Sequence, residues 1–337
     1  MIKIEQNVSL SQHTTLKAGG VADYFVVVKT ELDLKAALTF AKSEKLKVLV
    51  IGGGSNILAS DEGYRGLVIK NKITGLSYKE KGSAVSLSCG AGEILDVVVS
   101  KTARLGYWGL ENLSSIPGTV GATPVQNVGA YGVEVSSLIV EVKAINIFTQ
   151  EKKVFSKNEC KFNYRDSFFK TKLGMEWIIV AVVFKLSKKI NPKLDYGELK
   201  ILKSKTNLTP IQIRNKVIKI RAQKFPDWKM VGTAGSFFKN PIVSAKKFKQ
   251  LQAKYPDLPG YIMDDGQVKI SLGWALDNIC QLRGYCKNGV CLYKNQALVL
   301  VNEKNSSAKE IKKFVSFVIN EVEKKINILI EQEVRNI

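Results

Sequence analysis

A single histidine, His13, serves this chain of 337 residues, and no two of its five cysteines form a Cys-x-x-Cys pair. A zinc site of ordinary spacing is therefore not expected, and the metal expectation is none. The odd thiol count (Cys89, Cys160, Cys280, Cys286, Cys291) suits a reducing compartment. Each cysteine is expected as a small buried hydrophobe. His13 lies in a polar N-terminal stretch and is expected at the surface. The N-terminus has no apolar signal core, and the longest strongly apolar run, 177–184, is too short to cross a bilayer. That run reads as a buried strand, and no membrane association is expected. There is no Gly-Lys-Ser/Thr, which excludes a nucleoside-triphosphate P-loop. No internal repeat or low-complexity tract is present.

Acidic residues are in short supply: 30 against 51 lysines and arginines, a formal charge of +21. Such a balance fits a nucleic-acid binder, an enzyme whose ligands are polyanions, or lysines spread over solvated faces. The lysines are scattered, with no run of five or six like charges and no aromatic-interleaved basic motif. Nucleic acid is therefore not the expected partner.

What the chain does have is the stretch 114–132, Ser-Ser-Ile-Pro-Gly-Thr-Val-Gly-Ala-Thr-Pro-Val-Gln-Asn-Val-Gly-Ala-Tyr-Gly. Glycine and proline rule out a regular helix. Ile116, Val120, Val125 and Val128 give it apolar side chains to bury. A rigid loop remains, either plain tight turns or a backbone cradle for an anion. A second glycine run, Gly52-Gly53-Gly54-Ser55-Asn56, follows the short apolar strand 48–51. It lacks the G-x-G-x-x-G spacing and the long following helix of a Rossmann turn.

Around these loops the pattern is mixed. Strands are expected at 24–28, 64–70, 84–90, 138–148, 152–156, 177–186, 296–302 and 328–335. Helices are expected from a Thr30/Asp33 cap, at 93–105, from Thr209-Pro210 to about Lys224, at 245–254, 271–283 and 308–325. Residues 187–208 read as a polar, mobile segment. Three polar landmarks stand out: Tyr164-Arg165, Ser236 between a glycine and two phenylalanines, and Glu333 two residues before Arg335. Each alone has a structural reading as well as a catalytic one.

Five blocks in order resemble the UDP-N-acetylenolpyruvoylglucosamine reductase (MurB) family. They are Gly-Gly-Gly-Ser-Asn, the Ile116–Gly132 loop, Tyr-Arg-Asp-Ser, Gly-x-Ala-Gly-Ser-Phe-Phe-Lys-Asn-Pro and the terminal Glu-Val-Arg. Tyr196-Gly197-Glu198-Leu199 is similar to the tyrosine loop of its type I branch. The resemblance implies an α+β protein with the FAD-binding fold of the vanillyl-alcohol-oxidase/PCMH type plus a C-terminal α+β substrate-binding domain. The implied domains are lobe 1 at 1–72, joined by the C-terminal strand 326–337, lobe 2 at 73–225, and a substrate domain at 226–325. The implied reaction is NADPH-dependent reduction of an enolpyruvyl ether on UDP-GlcNAc to UDP-N-acetylmuramate, in peptidoglycan precursor synthesis, in a bacterial cytoplasm. The implied cofactors are non-covalent FAD and NADPH, and the implied state is a monomer.

Carried over by the resemblance, the FAD contacts are Gly52, Gly53, Gly54, Ser55, Asn56, Ile116, Pro117, Gly118, Thr123, Ile179, Arg221 and Arg335. The substrate contacts are Tyr164, Tyr196, Lys224, Asn240 and Gln281. Ser236 is the proton donor to substrate C2, and Arg165 and Glu333 stabilise the charge that develops after hydride reaches C3. A serine is a weak acid, so this works only because the enolate-like intermediate is strongly basic. Thr233 stands where the family often has Asn, and His13 where an Asn-Thr-Phe-like start is common. The chain ends two residues after Arg335, short of its relatives' tails, a departure that bears on the packing of the Glu333 strand. Two other readings are an FAD oxidase of the same fold and a basic nucleic-acid or anion-binding module.

Overall fold

In the computed structural model, residues 2–337 are described. They divide into two contact units. The first gathers segments 2–8, 22–54 and 64–221, the second 9–21, 55–63 and 222–337.

The first unit holds two large sheets and a short two-stranded ribbon, Gly129–Ala130 with Val133–Glu134. Strands Ile4–Ser9, Val21–Val28, Tyr64–Asn71 and Val48–Ile51 lie side by side in that order, and the last three run parallel. Helix α1, Glu31–Ser43, makes the crossover. The expected start is present: Thr30 Oγ1 accepts from Asp33 N, and Asp33 Oδ2 accepts from Thr30 N. Leu34, Ala37, Leu38 and Ala41 recur at helical spacing and are all buried.

The second sheet is antiparallel, ordered Lys152–Ser156, Ile139–Asn146, Trp177–Ser187, Ala84–Gly90, Leu76–Lys81. The central strand Trp177–Ser187 is covered on both faces, which explains its nearly unbroken apolar sequence. Ile178 and Val180 pack with α1 and the first sheet. Val182 and Phe184 pack with α2, Leu95–Arg104. Helix α3, Pro210–Lys224, closes the unit, and the unit boundary falls in its last turn.

The second unit is built on an antiparallel sheet ordered Gly232–Ser236, Gln296–Asn302, Val290–Tyr293, Cys286–Lys287. Helices α4, Ala245–Lys254, α5, Leu272–Asn278, and α6, Ala308–Ile326, accompany it. Ile311, Phe314, Val315, Val318 and Val322 of α6 form a buried stripe in one core with Leu272, Ala275 and Leu276 of α5. Two N-terminal systems hold the first turn of α6. Ser307 and Glu310 form a capping box, and the Asp61 carboxylate accepts from the N–H groups of Ala308 and Lys309.

Five expectations change. The strand expected at 328–335 is confined to Arg335–Asn336, which pairs in parallel with Ile57–Leu58. Residues before it are instead tied into a loop by side chains and single backbone bonds. Helix α5 stops at Asn278 rather than reaching 283, and Gln281 adopts φ +55 beyond it. The segment 187–208 contains a 3-10 helix, Gly197–Ser204, that buries Leu199 and Leu202. The cysteines also differ. Cys89 and Cys160 are buried thiols as expected, but Cys286 is exposed and bonded to Cys291. His13 ends a short 3-10 helix and is half-buried rather than fully at the surface. Among the described residues no helix is long and apolar enough to cross a membrane.

Candidate flavin and catalytic loops

In the first unit the two glycine runs meet. A Cβ on Gly53 would stand 2.9 Å from Gly118 Cα, and one on Gly52 would stand 2.3 Å from Thr119 Oγ1. Only glycine allows this approach, so the two loops form one continuous backbone surface. Gly54 and Gly118 have φ +67 and +120, conformations that L side chains rarely adopt. The second loop is held along its length by backbone bonds. Leu95 N donates to Gly118 O, Val120 N to Glu93 O and Gly121 N to Ala91 O. The buried Thr123 hydroxyl donates to Val120 O. Such a rigid, glycine-lined surface is what a pyrophosphate needs when backbone N–H groups do the binding.

The entry to this loop is held by a charge cluster of which sequence reasoning gave a role only to Arg221. Asp96 on α2 and Arg214 on α3 make a two-pronged ion pair of 2.5 and 2.9 Å. Asp96 Oδ1 also accepts from Ser115 N at 2.5 Å. Ser115 sits at φ +60, left-handed for a residue with a side chain, so this anchor holds the loop entry in a costly conformation. Arg221 Nε donates to Ser115 O at 3.2 Å. Burial pulls the Arg221 pKa down, opposed by Tyr131 and Asp96. For Asp96, burial pushes its pKa up, but the hydrogen bonds from Arg214 and Ser115 N outweigh it and hold the carboxyl below its ordinary value. Arg214 and Arg221 stand seven residues apart, two helical turns, and so share one face of α3. That spacing was the available signal. Asp96 carried none, because its partners lie 19 and 118 residues away.

Tyr164 and Arg165 lie on a tight bend closed by an Asn163–Asp166 bridge. Arg165 has φ +52, and its Nη2 donates to Gly129 O at 2.9 Å, which brings the predicted charge stabiliser to the glycine loop. Its guanidinium lies 5.4 Å from the Tyr164 ring centre. Tyr196 meets Tyr131 edge-on at 6.0 Å. Ile179 is buried in the central strand and its carbonyl accepts from Asn71 Nδ2.

The second unit assembles the other half of the predicted set. Ser236 ends its strand after Gly235, φ +74, and a register break lies between Thr233 and Ser236. Thr233 sits under that break: its hydroxyl donates to Leu300 O and accepts from Gly235 N. Glu333 N donates to Phe237 O at 2.7 Å, and Lys239 N donates to Glu331 O at 2.9 Å. The segment 331–333 is thereby laid along 237–239, with Glu333 beside the residue that follows Ser236. Asn56 is fixed to the same segment, its Nδ2 on Glu333 O and its O on Arg335 N. Asn240 Oδ1 accepts from Leu272 N at the start of α5, whereas Gln281 lies just past the end of that helix. Lys224 is half-buried in the last turn of α3.

The first unit therefore carries Gly52–Gly54, Ile116–Gly118, Thr123, Tyr164, Arg165, Ile179, Tyr196 and Arg221. The second carries Ser55, Asn56, Lys224, Ser236, Asn240, Gln281, Glu333 and Arg335.

Residues 22–147 match the family described as FAD binding domain. With its α+β architecture and backbone cradle, the chain is an FAD-dependent oxidoreductase. Residues 226–337 match the family described as UDP-N-acetylenolpyruvoylglucosamine reductase, C-terminal domain. The chain belongs to the UDP-N-acetylenolpyruvoylglucosamine reductase family. It is 40% identical over 329 residues to that reductase from Escherichia coli (strain K12), covering 98% of this chain and 95% of the relative. The reductase of Blochmanniella pennsylvanica (strain BPEN) is 44% identical over 289 residues, 86% of this chain and 83% of the relative. The crystal structure of MurB from Thermus caldophilus is similar with a TM-score of 0.70 at 25% identity, covering 100% of this chain and 99% of that one.

Proposed function

We propose that the chain reduces the enolpyruvyl ether of UDP-N-acetylenolpyruvoylglucosamine with NADPH, giving UDP-N-acetylmuramate for peptidoglycan synthesis in the bacterial cytoplasm. Bound FAD supplies the hydride relay, from NADPH to substrate C3. The chain's own residues do the rest. Gly52–Asn56, Ile116–Gly118, Thr123, Ile179, Arg221 and Arg335 hold the cofactor. The glycine loops supply N–H groups, and the two arginines supply positive charge. Lys224 and Tyr196 meet the UDP pyrophosphate, and Tyr164, Asn240 and Gln281 complete the substrate site. The lobes at 1–72 and 73–225 carry the flavin, and 226–325 carries the nucleotide.

Hydride arrival at C3 leaves negative charge on C2 and on the adjoining carboxylate. Arg165 is fixed by its bond to Gly129 O and supplies a preorganised positive charge. Glu333 stabilises the same charge as a hydrogen-bond donor in its protonated form or through water. Ser236 then delivers its hydroxyl proton to C2. The single observation that carries this assignment is the bond from Glu333 N to Phe237 O, which sets the acid beside the serine loop.

The half-reactions separate the roles. With Ser236→Ala, anaerobic stopped-flow should show flavin bleaching by NADPH at close to the native rate. Reoxidation by the enolpyruvyl nucleotide should be slower by about 10²–10⁴-fold, the usual worth of a placed proton donor. Equal slowing of both phases would overturn the donor assignment.

A further inference from the structure

A candidate site outside the flavin and catalytic loops lies on the edge hairpin of the second unit's sheet. Asn288 and Gly289 have φ +53 and +78, the paired left-handed conformation of a two-residue turn. That turn sets the register Lys287 opposite Val290 and Cys286 opposite Cys291. Leu292 N donates to Tyr285 O, so Cys286 and Cys291 occupy the non-hydrogen-bonded pair between two bonded ones. At such pairs the side chains share a face and stand closest. The Cα atoms are 4.1 Å apart and the sulfurs are bonded. Glu303 joins them from the end of the neighbouring strand, where its N–H donates to Gly289 O at 2.8 Å. The two sulfurs and a Glu303 carboxylate oxygen all lie within 4.8 Å of one another. Cys286 and Glu303 are exposed and Cys291 is buried, so the cluster opens to solvent on one side.

We propose that Cys286, Cys291 and Glu303 form a redox-gated site for one thiophilic divalent cation of the zinc or cadmium class. In the dithiol form the two sulfurs and the carboxylate supply three donors, with water in the fourth position of a tetrahedral ion. Two soft sulfurs favour such an ion over magnesium or calcium. Binding displaces the two thiol protons. The closed form arises by exchange with an oxidised small-molecule thiol. The two cysteine sulfurs give up an electron pair and form their own S–S bond. The reagent's S–S bond breaks, yielding two thiolates, and the cation leaves. Opening is the reverse, driven by a dithiol reductant.

The test uses the full-length protein, reduced with a dithiol and then freed of reductant under argon. Cadmium titration should develop a thiolate-to-cadmium charge-transfer band that saturates at one equivalent per chain. Zinc should compete it away. The protein oxidised with a small-molecule disulfide should show no band and a protected Cys286–Cys291 pair on alkylation and mass analysis. Cys286→Ser should abolish the band, and Glu303→Gln should weaken binding by about tenfold or more. Both changes are at exposed positions, and an unchanged melting temperature verifies the fold. A reduced chain that takes up no cadmium overturns the proposal. So does a band that persists in Cys286→Ser, because other thiols would then be responsible. Unchanged uptake after oxidation overturns the gate.

Discussion

Asp96 shows how one residue far from any motif prepares a ligand loop. It joins Arg214, Ser115 and, electrostatically, Arg221. Asp96→Ala leaves the Arg214 guanidinium, whose side chain is 10% exposed, without its counter-ion. We expect a loss of about 2–3 kcal/mol in urea unfolding. That is less than for a fully buried pair, because the Asp96 side chain is 34% exposed and partly screened. Flavin affinity should fall as well, because Ser115 is released from φ +60. Unchanged affinity would show that the loop holds its shape without the anchor. The pair also sets a pH dependence. The folded pKa of Asp96 lies below its ordinary value of 3.8, so its contribution is complete above that value. It is lost as pH falls through the folded value. Urea midpoints of Asp96→Asn should therefore decline less steeply in acid than those of the native chain.

At the scale of elements, the glycine contacts give a sharper test than a general loosening. Gly53→Ala places a methyl 2.9 Å from Gly118 Cα, a backbone atom that cannot step aside alone. Circular dichroism should be close to native, while FAD affinity should drop by about tenfold or more, the equivalent of roughly 1.4 kcal/mol. Ser307→Ala should cost α6 about 1 kcal/mol in thermal or urea unfolding. The helix itself should survive, because Asp61 still accepts from its first two N–H groups.

The same elements show what was legible in the chain. Periodicity exposed the buried faces of α1, α2 and α6, and the double-faced strand Trp177–Ser187, because each signal is local. The α1 capping box was readable for the same reason. The Gly-rich loops and Ser236 were legible as motifs. Their mutual arrangement was not, because Gly53–Gly118 and Glu333–Phe237 are long-range backbone contacts that leave no periodic trace. The stretch before Arg335 reads as a strand, yet it makes only an isolated bridge, Gln332 to Phe238, before Arg335–Asn336 pairs with Ile57–Leu58. Asn288-Gly289 was a readable turn signal. Counting outward from it would have paired Cys286 with Cys291, where a search for Cys-x-x-Cys spacing saw nothing.

Across the whole molecule, the charge of +21 meets ligands that are all anionic in the proposed reaction. Steering by that field predicts that kcat/KM falls by roughly tenfold between low and high salt. Flavin content should not change over the same range. A salt-independent kcat/KM would assign the lysines to solvation alone.

The second unit is threaded from three separate passes of the chain, residues 9–21, 55–63 and 222–337. Its middle pass is completed by the last one: Ile57–Leu58 pairs with Arg335–Asn336, and Ser60 N donates to Ile337 O at 2.8 Å. Asn56 and Glu333, joined by a hydrogen bond, are 277 residues apart. On the ribosome the middle pass therefore waits for the synthesis of residues 335–337, on the order of 15–60 s later at ordinary elongation speeds. Throughout that interval a nascent strand has open edges and no partner. A stop just before Arg335 would yield a polypeptide that lacks this pairing, never completes this unit and is left for chaperones and proteases to sort.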